Sequence, residues 1–331
     1  ATRGNEYRHI ESVLAELSKR FSKEHKLDMF IAEKKERKSW FELGRYAEDY
    51  NFYFRTLEEQ GDYWKNRIFE DCPFSKWQIK LPLQFLKRRI KPEQEIHDLV
   101  KQYDLVITTS LLFVPLNEDY EVAIAAKELG IPLIGFVPTW DSLTTKALLQ
   151  VKPDIMFCWN EQHKQELIKY HNLSTDRIYP VGDYSHEKWM FNNPRRRDKF
   201  FNKIGVDENE KLITYLCSSP TIIENEEDYI YSLAANNPKA VIMVKTYPDK
   251  HFEMSDLLKT LPNIKVINDD SAELYAYSAE IYGINTSAMI EAMLAGAKVY
   301  GIGDDPKQSL HFKTLKPLLD GNGKDKIREW C

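Results

Sequence analysis

The sequence predicts an α/β protein of two tandem, doubly wound parallel sheets. Three observations carry the prediction: the length, a regular alternation of short apolar runs with helical patterns, and the restart of that alternation after a polar joint. At 331 residues the chain exceeds the roughly 150 residues of an ordinary domain, so two domains with a cleft between them are expected. Each apolar run is short enough for a buried strand, and each helical pattern between runs is long enough for a crossover, which makes parallel βαβ units.

Taking the elements in order, apolar residues recur at helical spacing between Glu6 and Arg20 (Ile10, Val13, Leu14, Leu17), and Leu27–Ile31 then reads as a short strand. Residues 34–98 are aromatic and charged without strand periodicity, so a helical insertion is expected there, packed on the sheet or shaping an acceptor site. Strands follow at Asp104–Thr109, Ile131–Val137, Asp154–Trp159 and Arg177–Asp183, with helices at Tyr120–Leu129 and Glu161–Tyr170. Residues 184–205, with Asn192-Asn193-Pro194 and an arginine run, form the joint. Beyond it the strands are Leu212–Cys217, Ala240–Val244, Ile264–Ile267, Ala279–Ile284 and Lys298–Ile302. The domains are therefore 1–190 and 191–331, with ligand loops at the carboxyl ends of the strands.

Composition bounds the function classes. With 43% hydrophobic and 29% charged residues and a net charge of -5, the chain belongs with soluble globular proteins and shows no nucleic-acid signature. The basic runs at 34–38, 87–89 and 195–197 read as solvated faces, with an anionic acceptor or peripheral membrane contact as the rival. Cys72, Cys158, Cys217 and Cys331 form no metal-type pair, which suits a reducing cytoplasm. No apolar stretch reaches the ~20 residues needed to cross a bilayer, so a cytoplasmic location, or one at the inner face of the membrane, is expected. The chain opens on Ala1-Thr2-Arg3-Gly4-Asn5 without a methionine, as though a strand precedes it.

The most specific segment is Gly283–Val299. A strand ends in Asn285-Thr286-Ser287, whose hydroxyls suit a helix cap, so free N–H groups and the positive dipole end face a ligand phosphate. Glu291 lies one turn beyond Ser287, where its carboxylate accepts ribose or sugar hydroxyls; the rival reading is a plain cap and a solvated glutamate. Lys245 and Tyr247 lie at the end of the second strand of this domain, and Ser218 and Ser219 follow the first. Both strand ends suit phosphates, by positive charge and by close backbone approach respectively. The stretch Asn268–Tyr275 precedes the next helix.

In the first domain, a carboxylate or histidine suits a general base. Asp141 is the first candidate, with a helix cap as its rival role; Glu118 and His9 are the others. Arg3, Asn5 and Arg8, in a glycine-containing loop, suit the acceptor or the donor phosphates.

The segment Ser287-Ala288-Met289-Ile290-Glu291-Ala292, with Gly296 and Val299, resembles the S-x-x-x-E-A-x-x-x-G-x-P-V signature of GT-B glycosyltransferases, with Ala297-Lys298 standing where proline usually precedes the valine. Lys245-Thr246-Tyr247-Pro248 is similar to the K/R-x-H-P turn of the Kdo transferase and glycerophosphotransferase branch, with Tyr247 in place of histidine. The resemblance implies two Rossmann-like domains facing a cleft and a nucleotide-sugar bound by the hydroxyl and glutamate. It places Asn268–Tyr275 near the base. It further implies transfer to a carbohydrate acceptor, in the manner of bacterial surface-polysaccharide synthesis. No D-x-D spacing occurs at the adjacent pairs Asp269-Asp270 and Asp304-Asp305, so no metal and no cofactor are expected. The alternatives are a UDP-sugar 2-epimerase-like enzyme and a catalytically silent carbohydrate-binding or scaffold subunit.

Overall fold

The computed structural model describes residues 11–21, 94–109, 111, 118–140, 142–145, 149, 151–218, 226–247, 255–302 and 315–330. The expected strand at Leu27–Ile31 and most of the insertion lie outside them. The chain divides into two compact units, Ala1–Ser185 and His186–Cys331.

In the first unit, helix α1 spans Glu11–Phe21 and α2 spans Gln94–Val100. Then come β1 (Val106–Thr108), α3 (Glu118–Leu129), β2 (Leu133–Phe136), α4 (Ser142–Thr145), β3 (Ile155–Cys158), α5 (Glu161–Lys169) and β4 (Ile178–Pro180). The sheet order is β1-β2-β3-β4, every pair parallel. Helix α3 fits between layers because four consecutive residues are small or apolar: Ala123 and Ile124 join the core on the sheet, while Ala125 and Ala126 pack with Val100 of α2. It stops at Gly130, whose φ of 72° is left-handed, and the Ile131 N–H then returns to the Ala126 carbonyl at 2.8 Å. Asn160 caps α5, its side chain accepting the His163 N–H at 2.9 Å.

The second unit opens on a 3₁₀ turn, Glu187–Phe191, and α6 (Arg197–Ile204), closed by Gly205 at φ 63°. The series continues with β5 (Lys211–Leu216), α7 (Glu227–Asn236), β6 (Ala240–Lys245), α8 (Asp256–Lys259), β7 (Ile264–Ile267), α9 (Ser271–Tyr277), β8 (Glu280–Gly283), α10 (Ala288–Leu294), β9 (Val299–Gly301) and α11 (Gly323–Trp330). All pairs are parallel in the order β7-β6-β5-β8-β9. Residues 212–216 and 240–244 are buried throughout, which is why β5 and β6 read as unbroken apolar runs: a central parallel strand meets helices on both faces.

The arginine run leading into α6 is exposed, as expected, but it also makes ion pairs. Arg195 pairs with Asp270 and, at 3.0 Å, with Glu273, and Lys203 reaches Asp270 at 2.5 Å. Asp270 has a left-handed φ of 64° and a side chain only 1% exposed, so two cations offset its burial. The Arg197 guanidinium lies 4.4 Å from the Phe201 ring centre. The Lys203 pair, and Arg197 over the Tyr277 ring at 5.4 Å, fasten α6 to α9.

Candidate functional site

The second sheet places its functional positions by topology. From β5 the chain steps outward through β6 and β7, then returns to lay β8 on the opposite edge of β5. This is the reversal at which connections leave in opposite directions and free the carboxyl ends of the strands for a ligand. Ser218 follows β5, Lys245 ends β6, and Asn285-Thr286-Ser287 follow β8.

Helix α10 lies close against the end of β8. A Cβ added at Gly283 would sit 3.0 Å from Met289 Sδ and 3.2 Å from the Leu216 carbonyl oxygen, so the strand end needs glycine for space. Both hydroxyls before this helix were expected to suit a cap, but only one is engaged. The Ala288 N–H donates to Thr286 Oγ1 at 3.4 Å, while the Ser287 side chain makes no capping bond. Ser287 already has helical dihedrals, φ −59° and ψ −23°, which turn its side chain out of reach of the free N–H groups.

Glu291 is drawn into a cluster. Its Oε2 accepts the Tyr275 hydroxyl at 2.8 Å, and its Oε1 lies 3.9 Å from His186 Nε2. The carboxylate is neither solvated nor sealed: its side chain is 23% exposed, against 6% for His186. Trp189, from the 3₁₀ turn, meets the Tyr275 ring edge-on at 5.0 Å. Burial first, then the Glu291 charge and hydrogen bond, push the Tyr275 phenol far up, so it stays a neutral donor.

Lys245 is partly buried at the end of β6, and among the described residues its ammonium has no hydrogen-bond or ion-pair partner. Burial pulls its pKa down, and the charges of Glu291 and Asp269 oppose that pull. A cation withdrawn from water beside two carboxylates is arranged to meet an anion. Thr246 next to it is tied sideways, donating to Asn268 Oδ1 at 2.7 Å, and Tyr247 projects outward, 38% exposed.

Ser218 is buried and its polar groups are engaged within the protein. Its N–H donates to Glu226 at 3.0 Å, and its Oγ accepts the Asn285 N–H at 3.2 Å. The expected donor contact thus becomes a brace between the turns after β5 and β8. Ser219, Asp141, His9, Arg3, Asn5 and Arg8 lie outside the described residues. Glu118 is the first residue of α3, in the first unit. Flanking position 141, the Trp140 carbonyl takes a bond from buried His163 Nε2 at 3.1 Å, and Ser142 Oγ accepts the Thr139 N–H at 3.2 Å.

Sequence reasoning missed His186, Trp189 and Glu226, and it named Tyr275 only as part of the stretch near the base. The signal for the first two was the cluster Tyr184-Ser185-His186-Glu187-Lys188-Trp189, chemically rich for a joint. Among the described residues no group of three or more His, Cys, Asp or Glu side chains is placed to hold a metal ion. No described helix is long and apolar enough to cross a membrane.

Scans of protein-family models and of curated protein sequences find no match. Solved structures do resemble the chain. HepE of Anabaena in complex with UDP-glucose is 14% identical, with 71% of this chain and 76% of that one covered and a TM-score of 0.47. A glycosyltransferase of Rickettsia africae is 14% identical, at 71% and 74% coverage and a TM-score of 0.47. The UDP-GlcNAc 2-epimerase of Neisseria meningitidis, bound to UDP-GlcNAc, is 14% identical, at 76% and 78% coverage and a TM-score of 0.44. The fold assignment itself, two Rossmann-like parallel α/β units, rests on the strand order and register above.

Proposed function

We propose that the chain is a glycosyltransferase of the GT-B type, which takes a sugar or related group from a nucleotide-activated donor and passes it to a carbohydrate acceptor in cell-surface polysaccharide synthesis. The observation that carries the reading is the pairing, at one end of one sheet, of Lys245, which has no hydrogen-bond or ion-pair partner among the described residues, and Glu291 oriented by Tyr275. A nucleotide diphosphate offers Lys245 a direct ion pair, and ribose or sugar hydroxyls offer donors for Glu291 Oε1. As the donor's bond to phosphate breaks, Lys245 stabilises the charge on the leaving nucleotide, a task that needs no metal when the cation is fixed and partly desolvated. The resemblance of the Ser287–Val299 segment to the GT-B signature supports the same assignment.

The test is thermal scanning of the protein with UDP-, GDP-, TDP-, CDP- and CMP-linked sugars. A ligand at about 100 times its Kd stabilises the native state by about 2.7 kcal/mol. One nucleotide class should raise the melting temperature, and Glu291→Ala should weaken that ligand at least about tenfold, as expected for a lost charged hydrogen bond. Transfer is then followed by nucleotide release in the presence of oligosaccharide acceptors. Inversion at the sugar C2 without an acceptor would replace this reading by the epimerase; absence of any binding to folded protein would replace it by a carbohydrate-binding or scaffold subunit.

A further inference from the structure

We propose that Glu226 is a positioning residue of the donor site: its carboxylate fixes the Ser218 backbone, the Ser218 hydroxyl joins the turn after β5 to the turn after β8, and ligand affinity depends on that support. This rests on the nucleotide-binding reading above.

The lock is continuous in the structure. Both Glu226 oxygens accept the Ser218 N–H, each at 3.0 Å, and Oε1 also accepts the Tyr215 hydroxyl at 2.9 Å. Ser218 Oγ in turn accepts the Asn285 N–H at 3.2 Å. Asn285 directly precedes Thr286 and Ser287, the lead-in to the helix that carries Glu291. Tyr215, Ser218 and Asn285 are all buried. A donor held beside α10 needs the turn after β8 fixed, and Glu226 acts on that turn through Ser218.

The charge on Glu226 is unusual in its support. Among the described residues no cation pairs with it; the titratable groups facing it are Tyr215 on β5 and Cys217 just after it, neither a cation. Among the described residues, its hydrogen-bond donors are the Ser218 N–H and the Tyr215 hydroxyl. Burial pushes its pKa up, against the bonds from Ser218 and Tyr215. A carboxyl whose folded pKa is raised contributes stability below its unfolded pKa and loses that contribution as pH rises through the folded one. The charge on Glu226 therefore does not add fold stability, whereas the lock needs acceptors facing the Ser218 N–H.

That separation gives the test. In Glu226→Gln one of the two oxygens that accept the Ser218 N–H becomes an NH2 donor facing it, and the remaining oxygen is shared between Ser218 and Tyr215. By titration calorimetry at pH 7.5 with UDP, GDP, TDP and CDP as probes, the variant should bind the wild type's nucleotide at least about tenfold more weakly. Its melting temperature should stay within about 2 °C of wild type, because relief of the buried charge offsets the lost bonds. The affinity ratio between the two should close as pH falls and the wild-type carboxyl gains a proton. Tyr215→Phe provides a second readout, since losing one dipole makes Glu226 easier to protonate and should move the acid limb of wild-type binding to higher pH. Unchanged affinity in Glu226→Gln, or an acid limb unmoved by Tyr215→Phe, overturns the proposal. If the wild type binds none of the probes, the nucleotide reading itself fails and takes the lock's purpose with it.

Discussion

Replacing Tyr275 by phenylalanine isolates what orders Glu291. The ring is 2% exposed and meets Trp189 edge-on at 5.0 Å, and phenylalanine keeps both features. What disappears is the hydroxyl that donates to Glu291 Oε2 at 2.8 Å. A hydrogen bond to a charged group contributes about 1.5–3 kcal/mol. Here the lower part of that range applies, because the Glu291 side chain is 23% exposed and water can take over the vacated oxygen. A loss of about 1.5 kcal/mol corresponds to a drop of roughly 3–6 °C in the melting of the second unit. The freed carboxylate regains rotamer freedom of about 1 kcal/mol, which should weaken nucleotide binding about fivefold. Scanning calorimetry reads the first effect and titration calorimetry the second. The pH dependence adds a signature: the folded phenol titrates above its unfolded value, so wild-type stability falls as pH climbs past about 10 and the gap to the variant narrows. Unchanged melting and unchanged affinity together would refute the role given to this hydroxyl.

Two further outcomes follow from packing. Gly283→Ala sets a Cβ 3.2 Å from the Leu216 carbonyl oxygen and 3.0 Å from Met289 Sδ. Met289 can shift but the strand backbone cannot, so a loss of about 1–3 kcal/mol is expected in urea unfolding; wild-type stability would show that α10 does not press on the strand end. Burial pushes the Cys158 thiol up to about 12 and raises Cys217 further, so in native protein at pH 8 neither should react with a disulfide reagent until the chain unfolds. Labelling of either at the rate of a free thiol, read by peptide mass, would contradict their burial.

Much of the fold was legible because parallel α/β units advertise themselves locally. Apolar runs such as Leu212–Leu216 and Ala240–Val244 are buried on both faces, so their strand character needs no distant partner to be seen. The turn after β8 was legible for a similar reason: a strand end, polar cap candidates and a helix rich in small residues follow one another within a few positions. Even there, the choice between adjacent hydroxyls escaped the sequence, since it depends on dihedrals that differ only slightly between a residue that caps and one already within the helix.

By itself, then, the sequence determined the strands, the crossovers and the positions Lys245 and Glu291 at strand and helix ends. Tertiary structure alone decided what those positions touch. It brought His186 to Glu291 and Arg195 to Asp270, and it joined Ser218 to Asn285 under the site. Periodicity records which face of an element is buried. It carries no record of which distant side chain shares that burial, because a desolvated polar group can be satisfied by any partner that the strand order happens to deliver.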